Sequence, residues 1–282
     1  MNQNQLSKIL YKFLKDKGYT NIKKNEFFIM AEGKLPICLI AHMDTVFTQP
    51  QNKNNFIYDQ EQKILWGIGG SGFDDRAGIA GIIEVLEHGF RPHILFTNYE
   101  EVGGIGAEEL IKCYSKWPFS TTCHALVELD RQGHKDAVYY RCNNPEFEIY
   151  IESFGFEFAY GSFSDISIIA PAWKIAAVNL SIGYEFEHSP NELLHTDWFD
   201  ETIEKVEKIL SKSKSMKHYK YIQKEYNKIS YPFTIVNNNC LICGNPVNAS
   251  NSKEIYDEEF PYRVCNQCYN TYYLTDEIPF DF

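Results

Sequence analysis

The sequence predicts an α/β fold in which a mostly parallel, mixed sheet is sandwiched by helices. Apolar runs typical of strands alternate with helical patterns from the N-terminus to about residue 210. Several of the runs are almost uninterrupted, as in strands that are buried on both faces. Hydrophobic residues make up 44% of the chain and charged residues 23%, which is enough apolar material for a core.

The first elements follow from these patterns in chain order. Residues 3–17 place apolar side chains at helical spacing, and Gly18 stands where a helix C-cap glycine belongs. Later segments predict two strands, a hairpin, a helix, a strand, a helix and a strand: FFIMAEG, LPICLIAHMDTV, IYDQEQKILW, AGIAGIIEVLEHGF, HILFTNYEE, GAEELIKCYSK and HALVELD. We expect FEIYIES and KIAAVNLSIGYEFEH to be strands, and a last helix to begin at about Thr196.

Charge and hydropathy exclude some partners. The formal net charge of −11 argues against a nucleic acid or an anionic membrane as the main partner. Apolar runs stay shorter than the roughly 18 residues of a membrane span, and the N-terminus lacks the apolar region of a signal peptide. We therefore expect a cytoplasmic protein without a membrane partner.

The length of 282 residues exceeds the roughly 100 to 200 residues of one domain. We predict a main domain over residues 1–211 and a small module over residues 237–282. The basic segment between them, 212–236, is expected to be a solvated helix or linker, or else a docking segment.

The eight cysteines fall into two populations. Four are scattered and are expected to be small buried hydrophobic residues: Cys38, Cys113, Cys123 and Cys142. The others form two C-x-x-C pairs with 21 residues between the pairs: Cys240, Cys243, Cys265 and Cys268. This spacing is typical of a zinc ribbon or treble-clef knuckle, so we predict one structural zinc ion, with disulfides as the alternative. The module could cover an active-site mouth, bind a partner protein or mediate self-association.

Polar residues follow separate apolar runs, where the carboxyl ends of parallel strands would bring them together. His42 and Asp44 are two residues apart, so in a strand both side chains point to one face. The imidazole can bind a metal while the carboxylate orients it or supports a base. Asp130 and His188 each follow a further apolar run.

Two acidic pairs complete the set. Asp74 and Asp75 follow a glycine-rich turn, where one could bridge two metals, although a helix N-cap is the simpler role. Of Glu100 and Glu101, one could bind a cation and the other could act as a general base, with a solvated loop as the alternative. These nitrogen and oxygen donors suit Zn, Mn or Co in an open, catalytic site. The remaining histidines are expected on the surface or in packing: His88, His93, His124, His134, His195 and His218.

Five segments in order resemble the metal-site motifs of the co-catalytic dizinc exopeptidases, which include zinc aminopeptidases, tripeptidases of the peptidase T kind and related deacylases. They are AHMDTV, GFDDRAG, NYEEVGGIGA, VELD and GYEFEHSPNE, and the resemblance covers roughly residues 35–210. It implies that His42 and Asp130 bind one metal ion, that Glu101 and His188 bind the other, and that Asp74 bridges them.

The resemblance also implies the remaining roles. Glu100 would be the general base and Asp44 its supporting partner, while Asp75 would be structural and joined to Asp74 by a cis peptide bond. Tyr160 or Tyr184 could donate to an oxyanion, or could simply pack. Many relatives carry a lid domain between the fourth and fifth motifs, but here only 57 residues separate them, so we expect no inserted lid.

The implied activity is amide hydrolysis by a hydroxide held between two metal ions, with Glu100 moving the proton to the leaving nitrogen. An aminopeptidase or exopeptidase on short peptides is the leading interpretation. A deacylase or carboxypeptidase, acting on an N-acyl or terminal amino acid, is the alternative. The third interpretation is a non-catalytic binding protein that uses its zinc module.

Overall fold

The computed structural model describes residues 3–47, 53–223, 247–248, 251–256 and 261–268. The chain divides into two compact units, Met1–Glu225 and Tyr226–Phe282. The finer bounds proposed from the sequence stay predictions.

The first unit contains twelve strands among its described residues: β1 (Ile22–Lys24), β2 (Phe28–Ala31), β3 (Leu35–His42), β4 (Phe56–Asp59), β5 (Ile64–Gly67), β6 (Pro92–Thr97), β7 (Ala125–Arg131), β8 (Asp136–Val138), β9 (Glu157–Ala159), β10 (Ala177–Ser181), β11 (Tyr184–Glu185) and β12 (Leu193–His195). Its α-helices are α1 (Gln3–Asp16), α2 (Phe73–Glu87), α3 (Ile105–Cys113), α4 (Pro145–Glu152), α5 (Ile166–Trp173) and α6 (Thr196–Lys212).

The large sheet has eight strands in the order β1-β2-β6-β3-β7-β10-β8-β9. Four neighbouring pairs are parallel, β6 with β3, β3 with β7, β7 with β10, and β8 with β9. The other three pairs are antiparallel, so the predicted mostly parallel, mixed sheet is confirmed. The chain crosses from β3 to β6 on one side and then to β7 on the other, and the carboxyl ends beside β3 are where such sheets bind ligands.

The core lies on both faces of this sheet because its central strands are apolar on both sides. Along β3, Leu39 and Ala41 belong to one buried cluster, while Cys38 and Ile40 belong to the other. The predicted hairpin is also present, since β4 and β5 pair antiparallel and extend a smaller sheet in the order β11-β12-β5-β4.

The segment FEIYIES is helical, and the predicted strand there is wrong. It lies in α4, where Pro145 occupies the first turn and the Asn144 side chain accepts a hydrogen bond from the Phe147 backbone N–H. Phe147 and Ile151 are buried whereas Ile149 is exposed, so burial repeats every four residues and not every two. The alternating apolar letters conceal this helical period.

Residues 213–223 belong to the first unit and pack within it, while the predicted bounds of the basic segment stay a prediction. Met216 and Tyr219 are buried, the Tyr219 N–H donates to the His124 carbonyl, and the Ala176 N–H donates to the Tyr219 carbonyl. The rest of the predicted basic segment lies outside the described residues.

Three of the four scattered cysteines are buried as expected, but Cys113 is exposed at the end of α3. The described helices include none that is long and apolar enough to cross a membrane. Between Asp130 and His188, strands β8, β9 and β10 all join the large sheet, while the expected lack of a lid stays a prediction.

The second unit contains a two-stranded antiparallel sheet, β13 (Ser252–Tyr256) with β14 (Pro261–Cys265), followed by the short helix α7 (Asn266–Cys268). The second C-x-x-C pair therefore spans the end of β14 and α7. Cys240 and Cys243 lie outside the described residues, so the four-cysteine zinc site stays a prediction.

Candidate metal centre

The predicted site residues converge at the carboxyl ends of the central strands. His42 is the last residue of β3, and Asp130 is the residue before the last of β7. Glu100 and Glu101 begin the turn after β6, and the Gly103 and Gly104 N–H groups donate to the Glu100 carbonyl. Parallel strands thus bring together side chains that are far apart in the sequence.

Asp74 lies between two histidines. Its Oδ1 atom is 3.0 Å from His42 Nε2, and its Oδ2 atom is 3.1 Å from His188 Nε2. A carboxylate that presents one oxygen to each of two imidazoles has the geometry needed to bridge two cations.

Each of these histidines also faces a second acid. His42 Nε2 is 3.5 Å from Asp130 Oδ1, and His188 Nε2 is 2.9 Å from Glu101 Oε2. The side chain of His42 is buried, whereas that of His188 is about half exposed, so the His188 side of the centre opens to solvent.

Among the described residues, two groups of side chains place their ligand atoms within 4.8 Å of one another: His42, Asp74 and Glu101, and His42, Asp75 and Asp130. Asp75 is already engaged, because its Oδ2 accepts from the His42 backbone N–H at 3.1 Å and its Oδ1 from the Gly78 N–H at 2.8 Å. Asp74 is therefore the better donor to a cation. The helix α2 has Gly72 as its N-cap, but Asp74 and Asp75 keep non-helical φ/ψ values, and the peptide bond between them is cis. Asp75 takes the alternative capping role, because its side chain accepts the N–H of Gly78, three residues further on.

The charge of the centre fits cations. Burial, together with Asp130 and other neighbouring acids, raises the pKa of Glu100 to about 9, and burial raises that of Asp130 to about 7. Glu101 Oε1 is buried without a hydrogen-bond partner among the described residues. The acidic side chains of the centre outnumber its nearby positive groups, and one of their oxygens has no partner. Two divalent cations would neutralise this excess negative charge.

Asp44 connects the end of β3 to the acidic turn. Its Oδ1 accepts from the Glu100 N–H at 3.2 Å and its Oδ2 from the Glu101 N–H at 3.1 Å. Oδ1 is also 3.4 Å from His42 Nδ1. Burial opposes ionisation of Asp44, but His42 and the backbone donors outweigh it and lower the pKa of this carboxyl. The side chain thus positions both glutamates and the histidine.

Sequence reasoning missed Glu192, which is fully buried and lies against the backbone of Asp74. Its carboxylate accepts backbone N–H bonds from Ser71, Gly72 and Asp74. Gly72 has φ +67, a conformation that favours glycine, so the loop can turn its N–H groups inward. The signal was a glutamate four residues after His188, inside the GYEFEHSPNE segment.

Two further buried acids, Glu128 and Asp165, were also not predicted. Ser164 Oγ donates to Glu128, and Thr97 Oγ1 donates to Asp165. Asp165 helps to raise the pKa of Glu100, whereas burial and the neighbouring acids raise the pKa of Glu128 itself well above its usual value.

The two candidate tyrosines differ. The Tyr184 hydroxyl is buried and donates to Asp130 Oδ1 at 3.2 Å, so it holds a proposed ligand. Tyr160 is 63% exposed.

Among the other histidines, His93 is buried against Gly33, while His134 and His195 stack on Trp198, so these three lie in packing as expected.

Comparison with known proteins agrees with this geometry. The sequence model of peptidase family M20/M25/M40 matches residues 38–273. The chain belongs to this family. Peptidases of family M20/M25/M40 are metallopeptidases that are typically dimetal-dependent, and the described cluster of ligands is consistent with that chemistry.

Solved structures with the same fold include a tripeptidase from Staphylococcus aureus, at 16% identity and a TM-score of 0.59, where the match covers 75% of this chain and 93% of that one. Aminopeptidase PepT from Bacillus cereus matches at 16% identity and a TM-score of 0.56, covering 73% and 92%. An aminopeptidase from the archaeon Desulfurococcus kamchatkensis matches at 14% identity and a TM-score of 0.51, covering 74% and 89%. At these identities the likeness shows the fold alone. No curated protein sequence matches the chain.

Proposed function

We propose that the chain is a metal-dependent amide hydrolase that acts as an aminopeptidase or other exopeptidase on short peptides. The observation that carries the proposal is the Asp74 carboxylate, whose two oxygens face His42 and His188. Membership of peptidase family M20/M25/M40 supports it, as do tripeptidase and aminopeptidase structures of the same fold.

His42 and Asp130 would hold one cation, and Glu101 and His188 the other, with Asp74 shared between them. The mixed nitrogen and oxygen donors suit zinc, with manganese or cobalt as alternatives. When bound, the two cations would lower the pKa of a water molecule and polarise the scissile carbonyl. Tyr184 would hold Asp130 in place through its hydroxyl.

Glu100 would accept the proton of the attacking water and deliver it to the leaving nitrogen. Asp44 keeps this base in position, because it anchors the backbone N–H groups of both Glu100 and Glu101. A pKa raised by burial and by neighbouring acids makes Glu100 a stronger base towards water, and the proton it takes up passes to the leaving nitrogen because that nitrogen becomes more basic as the amide bond breaks. Tyr160, which is 63% exposed, is the remaining candidate for the oxyanion donor, because the Tyr184 hydroxyl is already engaged by Asp130.

The test is a metal analysis combined with an activity panel on the full-length protein. The panel contains peptides with a free N-terminus, the same peptides with a blocked N-terminus, and N-acyl amino acids. We expect hydrolysis of the free peptides by wild type, and loss of at least about 100-fold in kcat for Glu100→Gln, in line with the usual contribution of a general base. Glu204→Gln, an equivalent change at an exposed position on α6, should keep wild-type activity.

Asp74→Asn should lower the metal content by two ions per chain, because both proposed sites share this carboxylate. Cleavage confined to N-acyl amino acids would favour the deacylase alternative. A wild-type protein that holds no metal at these residues after supplementation, and cleaves nothing in the panel, would overturn the proposal and leave the non-catalytic binding role.

For the C-terminal module we propose one structural zinc held by Cys240, Cys243, Cys265 and Cys268. The two C-x-x-C pairs support this. The second pair begins at the last residue of the β13-β14 hairpin, a position compatible with a zinc ribbon. Partner binding or self-association through this module is likewise a proposal.

A further inference from the structure

Large exposed apolar side chains lie on the loops that carry the proposed site residues. Val102 directly follows Glu101 and is 61% exposed, and Phe186, two residues before His188, is 57% exposed. Phe163, in the segment before α5, is 41% exposed. Apolar groups left in water beside a site are a mark of a binding surface.

Phe163 lies against the acidic turn. A Cβ atom built on Gly104 would come within 2.7 Å of Phe163 Cζ, so the ring covers this glycine. The Gly104 N–H in turn donates to the Glu100 carbonyl at 2.9 Å. The Phe163 ring therefore borders the turn that presents the proposed base.

Phe186 lies at the solvent-facing side of the centre. The Ser189 hydroxyl donates to the Phe186 carbonyl at 2.8 Å, which closes a tight turn, and both Phe186 and His188 have φ +59. This turn directs the His188 ring towards Asp74 while the Phe186 side chain stays in solvent. The Phe186 ring is therefore an exposed apolar group on the turn that carries His188.

The charges of these loops select against acidic side chains. Residues 98–105, 157–167 and 183–190 contain no lysine or arginine but several acids. These loops therefore offer an acidic substrate side chain like charge and no lysine or arginine to pair with it, whereas an apolar side chain gains from leaving water.

We propose that Phe163, Val102 and Phe186 form a subsite for an apolar side chain on the substrate residue next to the scissile bond. The preferred substrates are then short peptides whose terminal residue is of the leucine, methionine or phenylalanine type. This inference rests on the proposed peptidase function and names its substrate class.

The experiment measures kcat/KM of the metal-loaded full-length protein on tripeptides X-Ala-Ala, with X as Leu, Phe, Ala, Glu or Lys. We expect Leu and Phe to exceed Ala by about 10-fold or more, the discrimination that an apolar pocket achieves between side chains of different size. Phe163→Ser and Phe186→Ser should each reduce the ratio of leucyl to alanyl hydrolysis by several-fold.

Ile149→Ser is the matched control. Ile149 is 66% exposed on α4. The Asn144 side chain at the start of α4 donates to the Lys220 carbonyl, and the neighbouring Tyr219 N–H donates to His124, the residue before β7. Ile149 therefore lies away from the carboxyl ends of the strands, and this variant should keep the wild-type ratio. Calorimetric titration with leucinamide and glycinamide gives a readout independent of turnover. Leucinamide should bind more tightly than glycinamide to the wild type, and this difference should be lost in the two phenylalanine variants.

Hydrolysis of all five substrates without preference for Leu or Phe, or a leucyl to alanyl ratio unchanged in both phenylalanine variants, would overturn the subsite and leave the peptidase function standing. Cleavage of none of the five would overturn both. If wild type self-associates in sedimentation, and both variants abolish association without changing selectivity, the apolar surface is an interface between copies and the subsite is wrong.

Discussion

Acidification should destabilise the protein through one buried histidine, His93. Its Nδ1 atom accepts the Gly33 N–H at 3.0 Å, and the ring packs edge-on against Trp117, with centroids 4.8 Å apart. Burial lowers the pKa of His93 to about 4. Below the unfolded-state pKa of about 6.5, the unfolded chain binds a proton that the folded protein does not, so stability falls as the pH falls towards 4.

The size of the effect follows from the shift. A difference of about 2.5 pKa units corresponds to about 3.4 kcal/mol when the unfolded chain is fully protonated and the folded ring is not. Between pH 7.5 and pH 5 about 2 kcal/mol of this loss should already be present, because the unfolded histidine is then almost fully protonated.

The assay is urea unfolding of wild type and His93→Asn at several pH values with equal metal loading. Asparagine can accept the Gly33 N–H but does not titrate. The loss of the imidazole's packing therefore lowers the free energy of unfolding of the variant by an amount that does not depend on pH. The wild-type advantage should therefore shrink by about 2 kcal/mol from pH 7.5 to pH 5. An advantage that stays constant over this range would refute the reasoning.

Two further predictions concern the supports of the site, and a third concerns the C-terminal module. Glu192→Ala should lower the free energy of unfolding by about 2 to 4 kcal/mol, since three backbone N–H groups lose a charged acceptor, and should weaken metal binding measured by chelator competition. Unchanged values in both measurements would contradict the positioning role. Gly78→Ala should lower the melting temperature and the metal affinity, because the new Cβ would lie 2.1 Å from the Leu129 carbonyl oxygen and force α2 away from β7; a wild-type melting curve would contradict this. Cys265→Ser should remove one zinc ion and leave unchanged the metal content proposed for the His42–His188 centre, and an unchanged zinc content by mass spectrometry would refute the four-thiolate site.

Much of the fold followed from local patterns. The doubly buried run of β3 and the helical spacing of α1 gave their element types directly, because each pattern reflects burial along a single segment. FEIYIES misled because its letters alternate as in a strand. The capping by Asn144 and the burial of Phe147 and Ile151 on one helix face made it helical.

The acids and histidines of the centre were predicted because strand ends and motif resemblance both pointed to them. Glu192 was missed, since its role is to accept backbone N–H groups from a loop more than 100 residues earlier in the chain. No local pattern encodes such a partner. The same holds for Glu128 and Asp165, whose hydroxyl donors come from other segments.

Residue type and local order were enough to predict the α/β class, the kinds of donor available for metals and the spacing of the two C-x-x-C pairs. The tertiary structure decided that Asp74 lies between His42 and His188, that Asp44 anchors the acidic turn, and that Phe163 covers Gly104. These are contacts between segments distant in the chain, and only the packing of the sheet and its helices brings the segments together.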